Sequence, residues 1–283
     1  MIDLELTIPK IAAPLSLLLL YLVVFWVSKW AANRLTPYDI NLEISEKHNR
    51  AVAISLSGYL IAVTVIFISA LIGPSRGIVN DLIFVGSYAV LGIILLNISR
   101  LINDKLILHK FQNKTELVDD QNEGTGAVVA GSFIASGLVV AGAIHGEGGG
   151  MGTAIAFFVA GQLALILFSK VYNLITPYDI HDEIEKDNVA AGVAFGGTLI
   201  ALGVILMNGA SGDFISWSEN LSRFGLISGS AFIVLPLFRY IMDKFLIPHY
   251  DLNHEIHHDR NISAGILEFV MVICFASIVF FAL

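Results

Sequence analysis

The chain has 283 residues, of which 56% are hydrophobic and only 14% charged, with a mean hydropathy of +0.77. A soluble domain carries about a quarter charged residues, so the composition is that of a membrane protein. The formal charge of -8 speaks against nucleic acid as a partner, and a single cysteine, Cys274, leaves neither a disulfide framework nor a cysteine metal site.

Apolar stretches of about 20 residues, enough to cross a hydrocarbon core of about 30 Å, run over Ile11 to Ala32, Asn49 to Ile72, Ile78 to Leu101, Gly126 to His145, Gly152 to Tyr172, Asn188 to Asn208, Leu221 to Met242 and Ile262 to Leu283. Eight spans in an all-α polytopic bundle are expected. The first does not read as a cleaved signal peptide, because Asp3 and Glu5 precede it with only Lys10, and no small-residue cleavage site follows.

After the first, third, fifth and seventh spans the same triplet recurs: an aromatic residue, then Glu, then Asn. The copies are Tyr38, Glu43, Asn49; Phe111, Glu116, Asn122; Tyr178, Glu183, Asn188; and Tyr250, Glu255, Asn261. Successive Asn residues are 73, 66 and 73 positions apart, so the chain reads as four tandem two-helix modules. Two spans per module keep all four parallel. The halves are residues 1–145 and 146–283. Inverted repeats that rock about a midplane site need the opposite arrangement.

All Lys and Arg except Lys10, Arg76 and Arg223 fall on the side of the triplet loops. That asymmetry places these loops in the cytoplasm and both termini outside.

In the first module, Thr36-Pro37-Tyr38-Asp39 reads as a helix start, with Thr36 as cap and Asp39 as the acid of a capping box. Thr176-Pro177-Tyr178-Asp179 repeats it, and Asp251 holds the same place in the fourth copy. Ile40 with Ile44, Ile180 with Ile184, and Leu252 with Ile256 then mark one face of a short interfacial helix. The aromatic ring anchors this corner at the membrane boundary. Asn49, Asn122, Asn188 and Asn261 are expected to cap the outgoing spans. Small residues four apart follow, as in Ala53 and Ser57, Ala127 and Gly131, and Gly192 and Gly196, where helices can approach closely. In the second module Lys110 and Gln112 replace the Pro and Asp of the first and third.

Lys29, Arg100, Lys170 and Arg239 end the ingoing spans. They either anchor to headgroups or ring a shared vestibule, drawing in anions or pairing with the motif glutamates. Glu268, two turns into the last span, reads either as part of an ion or proton pathway or as half of an ion pair, with Arg239 as the available partner.

His145 to Gly150 lacks the strand and the Lys of a phosphate loop and reads as a flexible hairpin on the terminal side. His254-Glu255-Ile256-His257-His258 matches the zinc pattern H-E-x-x-H. Since the other copies lack the His pair, His254 and His258 remain weak metal candidates, and no cofactor is expected.

The pattern of Tyr178 to Glu183 followed by Asn188 to Gly192 resembles a bacterial inner-membrane family, domain of unknown function 350, over essentially the whole chain. Small members of that family look like half of this protein, which implies duplication or fusion. The resemblance implies a membrane location and a topology, and no activity.

The leading expectation is a channel or transport component for ions or small solutes, bound to the lipid bilayer and open to homo-oligomerisation. The alternative is a scaffold or sensor of envelope stress that binds a cytoplasmic protein through the loops. An enzyme is not expected, for want of a Ser/His/Asp set, a cysteine nucleophile or a repeated metal-ligand set.

Overall fold

The computed structural model describes residues 4–245 and 251–282. Every regular element among them is helical. The elements are α1 (Leu4–Leu35), α2 (Ile40–Ser45), α3 (Arg50–Leu71), α4 (Ile78–Ile102), α5 (Glu123–Ile144), α6 (Met151–Ile175), α7 (Ile180–Glu185), α8 (Val189–Ala210), α9 (Trp217–Phe245), α10 (Leu252–His257) and α11 (Ile262–Ala282). Eight of these are long and apolar enough to span a bilayer, where a helix is the form that satisfies its own backbone.

The outgoing helices α3, α5, α8 and α11 form a row, each packed on the next, and α1, α4, α6 and α9 form a second row against it. α5 and α8 lie in the middle and are mostly buried, whereas α1 turns Leu15, Leu18, Leu22 and Trp26 outward, as a lipid-facing helix does.

Small residues set the spacing of the first row. Gly131 lies on the backbone of Gly196, and a Cβ on Gly196 would come within 2.6 Å of the Ala127 carbonyl oxygen. Gly192 packs on Gly124, and Gly265 on Ala190. The pair Ala53 and Ser57 makes no such contact, because α3 ends the row and Ser57 is exposed.

The helix start at each corner differs from the expected one. Asp39, Asp179 and Asp251 are themselves the caps of α2, α7 and α10, each accepting from the two amides beyond the first helical residue. Thr36 is not free to cap. Its Oγ1 donates backward to the Ala32 carbonyl at 2.9 Å, with the Tyr38 carbonyl at 3.1 Å as the alternative acceptor for the same proton, closing the end of α1. Asn33 and Asn173 brace the next turn by accepting from the amides of Ile40 and Ile180, both at 2.7 Å.

The second corner is built from two π-type turns, Asn103–Ile107 and Thr115–Asp119. Its departures serve the third module: Lys110 Nζ donates to Asp179 and Asp182, each at 2.7 Å, and the Ile107 carbonyl meets His181 Nε2 at 2.7 Å. On the terminal side the glycine-rich loop is pinned. Glu147 N donates to Asp213 Oδ1, and its carbonyl accepts from Phe214 N, both at 2.8 Å.

Candidate functional site

The residue before each capping Asn adopts a left-handed backbone: φ is 53° at His48, 52° at Gln121, 58° at Asp187 and 49° at Arg260. That turn folds the Asn back over its Glu, so the amides of Asn49, Asn122, Asn188 and Asn261 donate to the Glu carbonyls at 2.8 to 3.0 Å.

Every Asn side chain then works in both directions. Its Oδ1 caps the outgoing span by accepting from the amides of Val52, Thr125, Ala191 and Ser263. One N–H of Nδ2 goes to Oε2 of the same corner's Glu, at 3.1, 2.9, 2.9 and 2.8 Å in chain order. In the first three corners the other N–H crosses to the next module: Asn49 to the Leu117 carbonyl at 2.7 Å, Asn122 to Ile184 at 2.6 Å, and Asn188 to Ile256 at 2.8 Å.

The acceptor is always the residue after the next corner's Glu. Glu43, Glu116 and Glu183 are therefore buried and engaged rather than displayed to a soluble partner. Burial pushes the Glu116 carboxyl up, against the pull of Asn122.

Of the aromatic residues, Tyr178 is buried and stacks on His257 with ring centroids 4.8 Å apart, while Tyr38 and Phe111 are half-buried. Tyr250 lies outside the described residues. His254 and His258 are exposed with rings 4.8 Å apart, and among the described residues no three His, Cys, Asp or Glu side chains are arranged to hold a metal ion.

The four basic residues do not share a vestibule. Lys29 and Lys170 are exposed, whereas Arg100 and Arg239 line separate cavities, one in each half. In the second half Arg239 Nε donates to Glu268 Oε1 at 2.8 Å, and the Tyr172 hydroxyl donates to the same oxygen at 3.1 Å. Arg239 also lies over the Tyr172 ring, 5.4 Å from its centroid, and donates to Asn253 Oδ1 at 3.0 Å. Only about 20 Å³ of free space is left there.

Arg100 occupies the matching place in the first half, 22 residues before Asn122 as Arg239 is before Asn261. Here Val129 stands where Glu268 would be, seven residues after the capping Asn, and Ala32 stands where Tyr172 would be. The cavity is accordingly larger, about 70 Å³. One arginine nitrogen, Nη2, donates to the Leu35 carbonyl, but Nε and Nη1 are buried without a hydrogen-bond partner among the described residues.

Tyr59, Asn97, Tyr38 and Asp104 also line this cavity. Asn97 Nδ2 donates to the Tyr59 hydroxyl at 3.2 Å, and Asp104 Oδ1 accepts from Asn113 at 2.6 Å. Burial pushes the Tyr38 phenol up to about 12 against the opposing effect of Arg100, so it keeps its proton near neutral pH.

Neither Tyr172 nor the pair Tyr59 and Asn97 stands out in the sequence as a site residue. The available signal is the comparison of halves, in which Tyr172 faces Ala32 and Asn97 is a polar residue inside an apolar span.

The family profile described as Domain of Unknown Function (DUF350) matches residues 5–144 and again 148–283. The chain is similar to the UPF0719 transmembrane protein YshE of Bacillus subtilis (strain 168), 29% identical over 117 residues that cover 41% of this chain and 81% of that protein. It is also similar to a UPF0719 transmembrane protein of Aquifex aeolicus (strain VF5), 22% identical over 256 residues, covering 87% of this chain and 92% of the relative. No solved structure gives a significant match.

Proposed function

We propose that this chain, which belongs to the DUF350 family as two tandem copies, is a transport component of the bacterial inner membrane that passes a small solute along the seam between α1, α3 and α4. The observation that carries this reading is a pair of cavities on that seam, one toward each side of the membrane. The cavity on the terminal side has a volume of about 900 Å³ and reaches down to Tyr21 and Thr64, whose hydroxyls are 2.9 Å apart. The Arg100 cavity reaches up to Tyr59.

Thr64 and Tyr59 are five residues apart on α3, about 7.5 Å along the axis at 1.5 Å per residue. Leu60 and Val63, which lie between them, line neither cavity, so a short apolar barrier separates two mainly apolar chambers, each with a few polar side chains at its inner end. Dewetting of such a constriction is a physical means of gating.

The second half makes the poorer pathway. Its arginine is neutralised by Glu268, and its α6–α9 seam is filled by the ring pairs Phe157 with Phe224 and Phe168 with Phe232. Glu268, whose depth in the span suggested an ion pathway, thus weighs toward structure, and the weight for transport moves to the first half.

The distribution of Lys and Arg supports placing the corners in the cytoplasm and both termini outside. Engagement of the motif glutamates by asparagine supports a non-enzymatic protein and weighs against a scaffold that displays its loops.

Purified protein in liposomes tests the reading. Solute flux is expected with the wild type and is expected to fall at least tenfold in Ser55→Phe, which narrows the Arg100 cavity. Absence of flux from folded, reconstituted wild type overturns it.

A further inference from the structure

We propose that the first half holds a binding site for a small carboxylate anion, in which Arg100 takes the ligand oxygen that Glu268 supplies to Arg239 in the second half. The protein contains its own comparison. At equivalent places, one arginine has its Nε bonded to a carboxylate at 2.8 Å, and the other has its Nε buried beside open space with no partner among the described residues. A guanidinium is charged at any physiological pH, and leaving buried charged donors unsatisfied is costly. An anion completes the set.

The replacements set the shape of the ligand. Val129 withdraws the carboxylate and Ala32 withdraws the phenol that close the second site, which enlarges the space from about 20 to about 70 Å³. At about 10–15 Å³ for one water position, the first site takes a ligand of roughly five heavy atoms, the size of acetate or a slightly longer monocarboxylate. Lys114, exposed at the mouth, adds positive charge, while the Asp104 carboxylate, which accepts from Asn113, lines the same cavity within charge range of Arg100 and limits the site to a single negative charge. The Tyr38 and Tyr59 hydroxyls offer further hydrogen bonds to the anion. Apolar walls from Leu56, Val129 and Phe133 suit a methyl or methylene tail better than a second charge.

This inference names the solute class for the seam described above and rests on that seam being a solute site. The test is equilibrium binding of radiolabelled acetate to the detergent-purified full chain, alongside flux in liposomes. Saturable binding is expected in the wild type, and a loss on the order of 10- to 100-fold in Arg100→Gln, the range for removing a charge-assisted hydrogen bond.

Val129→Glu is expected to abolish acetate binding as well, by giving Arg100 the carboxylate that Arg239 has. If Arg100→Gln does not fold, Ala32→Tyr makes the same discrimination by filling the cavity. No saturable acetate binding by the wild type, or binding unchanged in Arg100→Gln, overturns the site. Flux without acetate binding removes the site alone, and acetate binding without flux leaves the site standing and removes the pathway.

Discussion

Arg239 Nε lies 2.8 Å from Glu268 Oε1, and both side chains are almost shut off from surroundings, at 10% and 5% exposure. Removing one partner of such a pair strands the other charge and costs about 3–5 kcal/mol, whereas replacing both with apolar residues of similar volume is often neutral. Glu268→Gln is therefore expected to lower the thermal unfolding temperature in detergent sharply, and Arg239→Met with Glu268→Leu to recover most of the loss. A double variant as unstable as the single one would show that the pair does more than neutralise itself.

At the third corner, Asn188→Asp separates capping from bridging. Asp is as good an N-cap as Asn, but it gives up both N–H bonds and puts a second carboxylate beside Glu183. The Ile256 carbonyl loses its donor from the third module. A loss of about 2 kcal/mol is expected, within the range for stranding a buried polar group. Denaturant unfolding of the two proteins reads this directly, and equal stability would mean that capping alone matters.

His181 gives the fold an acid-sensitive joint between the second and third modules. Burial holds its imidazole below the usual histidine range, with His109 and Lys110 acting in the same direction, while the bond to the Ile107 carbonyl and the charge of Asp179 oppose it. A folded-state value below the unfolded one means that stability is full above the unfolded value of about 6.5 and declines as pH falls toward the folded value. Thermal unfolding between pH 8 and 5 should show this decline, and His181→Gln should flatten it.

Asp179, on the same joint, responds in a lower window. Burial raises its carboxyl, but the Lys110 ammonium and neighbouring donors outweigh this and hold it at about 2. The clasp of Lys110 on Asp179 and Asp182 is thus kept at neutral pH and lost only as pH falls from about 4, the unfolded value, to about 2. Lys110→Met should shrink the stability change in that window, leaving the part that the backbone amides and Asn173 supply.

Gly196→Val tests the row of outgoing helices, since any side chain there runs into the Ala127 carbonyl on α5. Overpacking of this kind costs about 1–3 kcal/mol, and here the obstacle is backbone. Ser57→Val, on the exposed side of α3, is expected to be neutral in the same thermal assay.

The spans and the capping role of the four Asn residues were legible because each has a local cause: an apolar run of bilayer length, and a side chain that accepts from amides two or three residues ahead. The cap at Asp39 was misread. Thr36 fits a cap equally well by sequence, and only the fold shows its hydroxyl turned back to the Ala32 carbonyl.

Grouping Lys29, Arg100, Lys170 and Arg239 followed their shared depth, yet burial divides them. The two arginines each line a cavity, whereas the lysines are exposed, and the spacing to the following Asn or Asp does not separate the two kinds, since Lys29 precedes Asn33 by four as Arg100 precedes Asp104. The crossing of Asn122 to Ile184 was out of reach, because nothing local says which module lies beside which.

That crossing also has a direction in time. The carbonyls that receive Asn49, Asn122 and Asn188 lie 68, 62 and 68 residues downstream, so a ribosome making this chain releases each asparagine well before its acceptor exists. Until the following pair of spans arrives, the newest corner keeps an open donor at the bilayer edge. Each of these corners thus carries a donor that only the following module satisfies, which ties the register of every module to that of the next.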